Sequence, residues 1–424
     1  MQIHVVRRGE SLWFLSRMYR VSVQDITNAN EISNVNQLVV GQALVIPTPA
    51  GTYVVQPGDS LYSIATMYGT SYSALARQNQ IANPSQLFVG QRLRVPRRNR
   101  TAIDVNAYLT DFGTRGQQTT QELGPYLTYL SPFSHHVQAD GSIAALEDTS
   151  VVNIAKSHGV APLFVISNWS GDMFSSTLAH TILNNTRLQQ TVIANALELM
   201  KSRGYRGLNI DFEYIYPQDR EAYNRFLRDV VTRMHAEGYP VSTALAPKLS
   251  ATQRGLLYEA HDYPVHGQLC DFVVLMTYEW GWIGGPPMAV SPISEIQKVL
   301  NYAVTAIPRN KILMGVSVYG YDWKLPFVKG TLAESFGPQI AVERAAAHGA
   351  SIQYDNTSQA PYFNYVDARG TQHIVWFEDA RSFQAKLNIV RSYGLRGISF
   401  WSYPTEFPQV PAVFEDNFQI RKLG

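Results

Sequence analysis

The most constraining feature of this 424-residue sequence is a series of eight short, apolar runs that alternate with helical segments. Runs that are hydrophobic on both faces are typical of parallel strands, because helices cover such strands on both sides. Helical segments are predicted at, for example, residues 188–202, 219–237 and 292–306. Eight strands joined by right-handed helical crossovers predict an α/β fold, a (β/α)8 TIM barrel within residues 102–424. The runs begin at residues 104, 126, 161, 207, 240, 271, 311 and 397.

The connection between the seventh and eighth runs is unusually long. It contains two strand-like stretches rich in Tyr, Phe and Val, followed by a helical pattern. This predicts a small α+β insertion at about residues 322–390 that forms one wall of a cleft. Tyr362 and Trp376 could face a ligand there, or they could belong to the core of the insertion.

The first hundred residues contain an internal repeat. Gly9 pairs with Gly58 and Pro47 with Pro96, a constant offset of 49 residues without insertions. Each copy reads as a strand, a turn that caps a helix, a second helix and a final strand before proline. The sequence therefore predicts two βααβ modules, at residues 1–48 and 50–97.

The fourth run carries three polar side chains at every second position, namely Asn209, Asp211 and Glu213. Side chains alternate across a strand, so these three share one face. A carboxamide and two carboxylates are costly to bury unless they bond one another or a ligand. The pattern favours a site, although a polar strand end that is bonded to backbone groups remains the alternative.

The same run resembles the D-G-x-[DN]-x-D-x-E motif of glycoside hydrolase family 18, the chitinase-like enzymes that cut next to N-acetylglucosamine. The resemblance implies that Glu213 is the proton donor, Asp211 its partner and Asn209 the inner neighbour of Asp211. Arg206 occupies the position of the first acidic residue of the motif. The two-residue repeat of a strand places this position at the strand entrance.

Two further strand ends carry family features. Met276, Tyr278 and Glu279 resemble the M-x-Y-D segment, in which the tyrosine bonds the acetamido group of the substrate and the acid tunes the catalytic glutamate. Glu279 replaces the usual aspartate and so adds one methylene. Trp401 matches the tryptophan that floors the sugar subsite, where an aromatic face buries the apolar side of a sugar ring.

The spacing of the two acids bears on mechanism. Residues i and i+2 of a strand lie roughly 6.6 Å apart at Cα, so the carboxyl groups of Asp211 and Glu213 can come too close for an inverting enzyme. The family resemblance implies retaining, substrate-assisted catalysis, in which the 2-acetamido oxygen of the sugar attacks. We expect the shared proton to reside on Glu213, with Asn209 donating a hydrogen bond to Asp211.

The two modules resemble LysM domains, which bind glycans that contain N-acetylglucosamine. The resemblance implies a shallow sugar groove between residues 9–12 and 35–41 in the first copy, and between residues 58–61 and 84–90 in the second. A purely structural role in the turn is the alternative for each residue. The predicted contacts are Gly9, Ser11, Leu12, Gly58, Asp59, Ser60 and Leu61.

Composition excludes several other functions. The net charge of +2, without a basic stripe, does not favour nucleic acid. Cys270 is the only cysteine, so a disulfide within the chain is excluded, and adjacent His135 and His136 would face opposite ways on a strand. We expect no metal and no cofactor. The sequence has no 18-residue apolar run and begins without an apolar signal segment, so we expect no membrane span and synthesis without a signal peptide.

Two LysM-like repeats followed by this barrel resemble spore cortex-lytic N-acetylglucosaminidases of endospore-forming bacteria. The resemblance implies a spore-associated enzyme at the boundary of cortex and coat that cleaves after N-acetylglucosamine in cortex peptidoglycan during germination. One alternative is a chitinase-like enzyme on another N-acetylglucosamine polymer. The other is a non-catalytic glycan-binding lectin, which the presence of Glu213 disfavours.

Overall fold

Eight parallel strands close into a barrel in the computed structural model, which describes residues 1–83, 85, 87–403 and 407–423. The fourth strand pairs with the third and the fifth, and the eighth pairs with the first, with Ile398 opposite Val105. The predicted TIM barrel is confirmed, and all eight apolar runs supply its strands. These are Ala102–Leu109, Tyr129–Pro132, Ala161–Ser167, Gly207–Asp211, Val241–Leu245, Phe272–Leu275, Ile312–Ser317 and Gly397–Tyr403.

Helices surround the barrel and bury their apolar faces against it. Asn185 caps the longest one by accepting from the N–H groups of Arg187 and Leu188, and Gly204 ends it with a left-handed φ of 75°. No helix of the described residues is long and apolar enough to span a membrane. The helices are Thr114–Leu123, Thr149–Ser157, Ser176–Leu183, Thr186–Arg203, Arg220–Ala236, Tyr263–Leu269, Ile293–Ala306, Ala380–Tyr393 and Val410–Asn417, with 3-10 turns at Gly124–Tyr126, Pro217–Asp219 and Arg309–Lys311.

Short strands lie outside the barrel core. A two-stranded hairpin, Trp169–Ser170 with Met173–Phe174, follows the third barrel strand. His135–Val137 and Ile143–Ala144 form another antiparallel pair, and Gln419–Ile420 adds to the first barrel strand.

An antiparallel sheet of five strands follows the seventh barrel strand and forms the predicted insertion. Arg344 of its helix bonds both Asp322 and Glu334, which ties that helix to the sheet. The rings of Tyr362 and Trp376 stack on neighbouring strands, with 4.6 Å between their centroids. The elements are the strands Gly320–Leu325, Glu334–Phe336, Gln353–Asp355, Ala360–Val366 and Gln372–Trp376 and the helix Pro338–Ala347.

Each N-terminal repeat forms the predicted βααβ module around its own small core. The two strands of each module pair antiparallel. Pro84 and Gln86 of the predicted second groove, and residues 404–406 and 424 of the predicted barrel domain, lie outside the described residues. The elements are Gln2–Val5, Leu12–Tyr19, Val23–Asn30 and Ala43–Ile46 in the first module, and Thr52–Val54, Leu61–Met67, Tyr72–Gln78 and Arg92–Arg94 in the second.

Candidate active site

A cleft of about 560 Å³ opens at the carboxyl ends of the barrel strands, where barrel enzymes place their chemistry. Aromatic side chains form most of its wall, and two carboxyl groups lie at its base. Six residues that the sequence predicts for the site line this one cleft. They are Asp211, Glu213, Met276, Tyr278, Glu279 and Trp401.

The two acids lie at the end of the fourth barrel strand and just beyond it. Leu208 and Ile210 are buried in the core beneath the helices, so the alternate residues Asn209 and Asp211 face the barrel interior. Asp211 is the last residue of the strand and Glu213 lies two residues beyond it. The Oδ1 atom of Asp211 is buried and has no hydrogen-bond partner in the described part of the chain. An unpartnered carboxylate oxygen at the base of a cleft is available to a ligand.

Burial dominates the electrostatics of this pair. It raises the pKa of both carboxyl groups, and the negative charge of Asp211 raises the pKa of Glu213 further. Glu213 therefore holds the proton more tightly, as the sequence predicts. A carboxyl group that stays protonated near neutral pH can act as a general acid.

Asn209 has other partners than the sequence suggests. Its Nδ2 donates to Ser242 Oγ at 2.9 Å, and its Oδ1 accepts from the Tyr108 hydroxyl at 3.0 Å. The predicted hydrogen bond to Asp211 is wrong, because the parallel register places Ser242 of the fifth strand opposite Asn209. Asn209 is fully buried and lies beneath the cleft, where it links three barrel strands.

Aromatic packing fixes the floor of the cleft. The ring of Trp401 lies 4.7 Å from that of Phe133, 5.5 Å from that of Tyr108 and 6.4 Å from the stacked ring of Tyr278, between centroids. Burial raises the pKa of the Tyr278 hydroxyl, so this group remains a hydrogen-bond donor. The floor therefore offers an apolar platform beside a phenolic donor.

Glu279 lines the same cleft and bonds to tyrosines at the start of the insertion. Its Oε1 accepts hydrogen bonds from the hydroxyls of Tyr319 and Tyr321, the latter at 2.8 Å. Burial raises the pKa of Glu279, and these two bonds oppose the shift. The methylene that distinguishes glutamate from the expected aspartate thus allows the carboxylate to join the cleft wall to the insertion.

Asn168 is the main functional candidate that sequence reasoning missed. It is fully buried directly after the third strand. Its Oδ1 accepts from the backbone N–H of Glu213 at 2.9 Å, and its Nδ2 donates to the Glu213 carbonyl at 2.9 Å and to the Ser175 carbonyl at 3.1 Å. One side chain thus fixes the backbone of the acid and the end of the hairpin whose Trp169 and Phe174 line the cleft. Its position at a strand end was the signal that could have identified it.

The seven predicted glycan contacts of the modules mainly build the turn before the first helix. The two glycines have left-handed φ angles of 86° and 92°, and the two serines cap the helices. The aspartate accepts from the Gln56 N–H at 2.7 Å. Both leucines are only 2% exposed, because they fill the module cores, so their side chains do not reach a ligand. The residues are Gly9, Ser11, Leu12, Gly58, Asp59, Ser60 and Leu61.

The described residues contain no group of three or more His, Cys, Asp or Glu side chains that could hold a metal ion. His135 bonds the Tyr205 hydroxyl at 3.1 Å and accepts from the Leu146 N–H at 3.1 Å. Its ring therefore belongs to the core, and burial lowers its pKa to about 3.

Comparison with known proteins agrees with this geometry. Residues 106–405 match the model of the glycosyl hydrolases family 18, and residues 4–47 and 53–96 each match the LysM domain. The chain belongs to glycoside hydrolase family 18 and carries two LysM domains.

The expected likeness to spore cortex-lytic enzymes is confirmed over the whole chain. The chain is 51% identical to the cortical fragment-lytic enzyme of Bacillus subtilis, covering 100% of this chain and 99% of that protein. It superimposes on the crystal structure of the Bacillus cereus spore cortex-lytic enzyme SleL with a TM-score of 0.93, at 43% identity and with 100% and 99% coverage. The Bacillus megaterium SleL structure gives a TM-score of 0.89 at 40% identity, covering 99% of each chain.

Proposed function

We propose that this chain is an N-acetylglucosaminidase that hydrolyses spore cortex peptidoglycan, or fragments of it, during germination. The names of its full-length relatives, cortical fragment-lytic and spore cortex-lytic enzymes, support this substrate. The observation that carries the proposal is the pair of carboxyl groups with raised pKa values, buried Asp211 and partly buried Glu213, in the aromatic cleft.

The chemistry follows from that pair. Glu213 donates its proton to the glycosidic oxygen, and the oxygen of the substrate's own 2-acetamido group attacks the anomeric carbon as the leaving sugar departs. Asp211 and Tyr278 stabilise the resulting oxazolinium ion, the first by its charge and the second by a hydrogen bond. Glu213, now ionised, takes a proton from water, which opens the ring with retention of configuration. Trp401 supports the apolar face of the sugar.

The internal nucleophile sets the specificity. Only a 2-acetamido sugar can supply it, so cleavage falls after N-acetylglucosamine. Muramic δ-lactam has no free acetamide and therefore occupies the leaving-group side.

The LysM domains hold the enzyme on its insoluble substrate, because the modules resemble a domain type that binds N-acetylglucosamine glycans. With them, the protein is retained near the boundary of cortex and coat. This assignment rests on the two domain matches and on the spore origin in the names of the relatives.

The test is mass spectrometry of the muropeptides released from purified cortex by the parent and by Glu213→Gln. Loss of general acid catalysis should lower turnover about 10²- to 10⁴-fold. Glu237→Gln, which changes a surface glutamate paired with Lys201 and Arg233, is the matched control and should release the parental products. Parental products from Glu213→Gln would refute the assignment of the acid. Chitin oligosaccharides assayed in parallel distinguish a chitinase, and binding without any release distinguishes a lectin.

A further inference from the structure

The two LysM modules match position by position, yet their surroundings differ. With an offset of 49 residues, Val39, Val40 and Gly41 of the first module correspond to Phe88, Val89 and Gly90 of the second. In both modules this segment lies between the second helix and the final strand. We call it the module loop.

The module loop of the first module is docked on the catalytic insertion. Val39 is only 5% exposed and packs in a cluster with Phe336, Ile352, Phe363 and Phe377. The backbone N–H of Ile352 donates to the Val40 carbonyl at 2.8 Å. Arg381 donates to the Gly41 carbonyl at 3.0 Å. Part of the surface that the sequence assigns to a glycan groove, around Val39 and Gly41, is thus covered by the enzyme's own barrel domain, whereas Val35 and Val40 stay exposed.

The module loop of the second module is open. Phe88 is 69% exposed and Val89 is 58% exposed. A Cβ atom added at Gly41 would overlap the carbonyl oxygen of Ile352, whereas none of the described atoms lies within 4 Å of one added at Gly90. Two apolar side chains are thus exposed at the positions where the first module meets the insertion.

Hydrogen bonds between the modules hold the second on the first. The Gln2 side chain donates to the Val54 carbonyl at 2.6 Å and accepts from the Val54 N–H at 2.9 Å. Arg92 donates to the Tyr19 carbonyl at 2.9 Å. The position of the second module relative to the cleft therefore depends on the docking of the first.

We propose that the two modules have different tasks: the first is a docked part of the catalytic body, and the second carries the surface that retains the enzyme on the glycan. The inference rests on the proposed function in one respect, because it takes the ligand to be an N-acetylglucosamine glycan. The ligand of the open loop in the second module is the polymeric substrate itself, because this module is fixed relative to the cleft.

The first test compares Val89→Ser with Val40→Ser, the same change at the same module position. Each full-length variant is sedimented with insoluble cortex peptidoglycan, and the bound fraction gives the apparent Kd. Loss of a valine contact should weaken retention about tenfold for Val89→Ser, while Val40→Ser should stay within about twofold, although Val40 is 39% exposed. Equal weakening in both, or a larger effect of Val40→Ser, would overturn the proposal.

Hydrolysis of soluble fragments is measured in parallel, so that a loss of retention can be distinguished from a loss of the proposed activity. Both serine variants should hydrolyse soluble fragments at the parental rate, since neither residue lines the cleft. If the parent itself hydrolyses no cortex fragment, the proposed function fails. The retention comparison still stands in that case, because it measures binding alone.

The second test compares Gly41→Ala with Gly90→Ala by hydrogen–deuterium exchange. The two glycines have φ angles of 87° and 85°, so the backbone strain of the substitution is matched. Only Gly41→Ala meets the insertion, and it should speed exchange at the Ile352 amide and around it. The same protection of Ile352 in both variants would show that the first module is not docked through this loop.

Discussion

The clamp that Asn168 places on the backbone of Glu213 leads to the sharpest prediction. In Asn168→Ala the Glu213 N–H and C=O both lose their partner, and so does the Ser175 carbonyl. The carboxyl group of Glu213 is unchanged, so the variant alters the position of the acid and leaves its chemical identity intact. Asn168 is therefore a positioning residue, and its removal should affect the reaction more than substrate binding.

The structure sets the magnitude. Each of the three lost hydrogen bonds contributes about 0.5–1.5 kcal/mol, which gives a loss of unfolding free energy of about 1.5–4.5 kcal/mol. A displacement of the acid by about 1 Å costs about 10²-fold in rate. We expect kcat to fall about 10- to 100-fold and KM to change less than about threefold, because the aromatic floor that binds the sugar remains in place.

The assay is the pH dependence of kcat and KM on soluble cortex fragments. Glu213 must be protonated to act, so activity is lost as the pH rises through its pKa. That pKa is raised by burial and by Asp211. A loosened acid gains contact with water, its pKa falls, and the alkaline limb of the profile moves to lower pH. A purely structural role would lower the amount of folded enzyme without moving this limb.

Asn79→Ala is the matched control. Asn79 clamps the backbone of Arg94 in the second module in the same way, accepting from its N–H at 2.6 Å and donating to its carbonyl at 2.8 Å. It should leave kcat and the pH profile on soluble fragments unchanged. An Asn168→Ala enzyme that folds, keeps the parental kcat and keeps the parental alkaline limb would refute the reasoning.

Two further predictions concern carboxyl groups of the cleft. Glu279→Asp retracts the carboxylate by roughly 1.5 Å, which breaks the bonds from Tyr319 and Tyr321. It should lower the free energy of unfolding by about 2–3 kcal/mol in denaturant titration, whereas Glu279→Gln, which keeps the acceptor, should cost less; equal losses would contradict this account. Glu213→Gln should melt at a higher temperature than the parent at neutral pH. The raised pKa of Glu213 makes the folded state lose stability as the pH rises from the ordinary carboxyl range through that pKa, and glutamine removes this loss. The gain in melting temperature should vanish below about pH 4, and a gain that persists in acid would point to packing instead.

The barrel and the two acids were predictable because their signals are local. Hydrophobicity on both faces marks a parallel strand wherever it occurs, and all eight runs became barrel strands. The spacing of Asp211 and Glu213 placed both at one strand end, where the closed barrel brings Tyr278 and Trp401 to the same cleft. Strand ends meet in a barrel whatever the lengths of the connections, so no distance along the chain had to be guessed.

The partners of each group were not predictable, because they come from other strands. Asn209 bonds Ser242 and not Asp211, since the register between the fourth and fifth strands decides which side chain lies opposite. Two sequence copies that look equivalent likewise separate in the structure, because only one copy meets Ile352 of the insertion. The repeated sequence determines the fold of each module, and the domain that packs against a module determines which of its faces stay exposed. The difference between Val40 and Val89 is therefore a property of the docked molecule, and only an experiment on the full-length chain can reveal it.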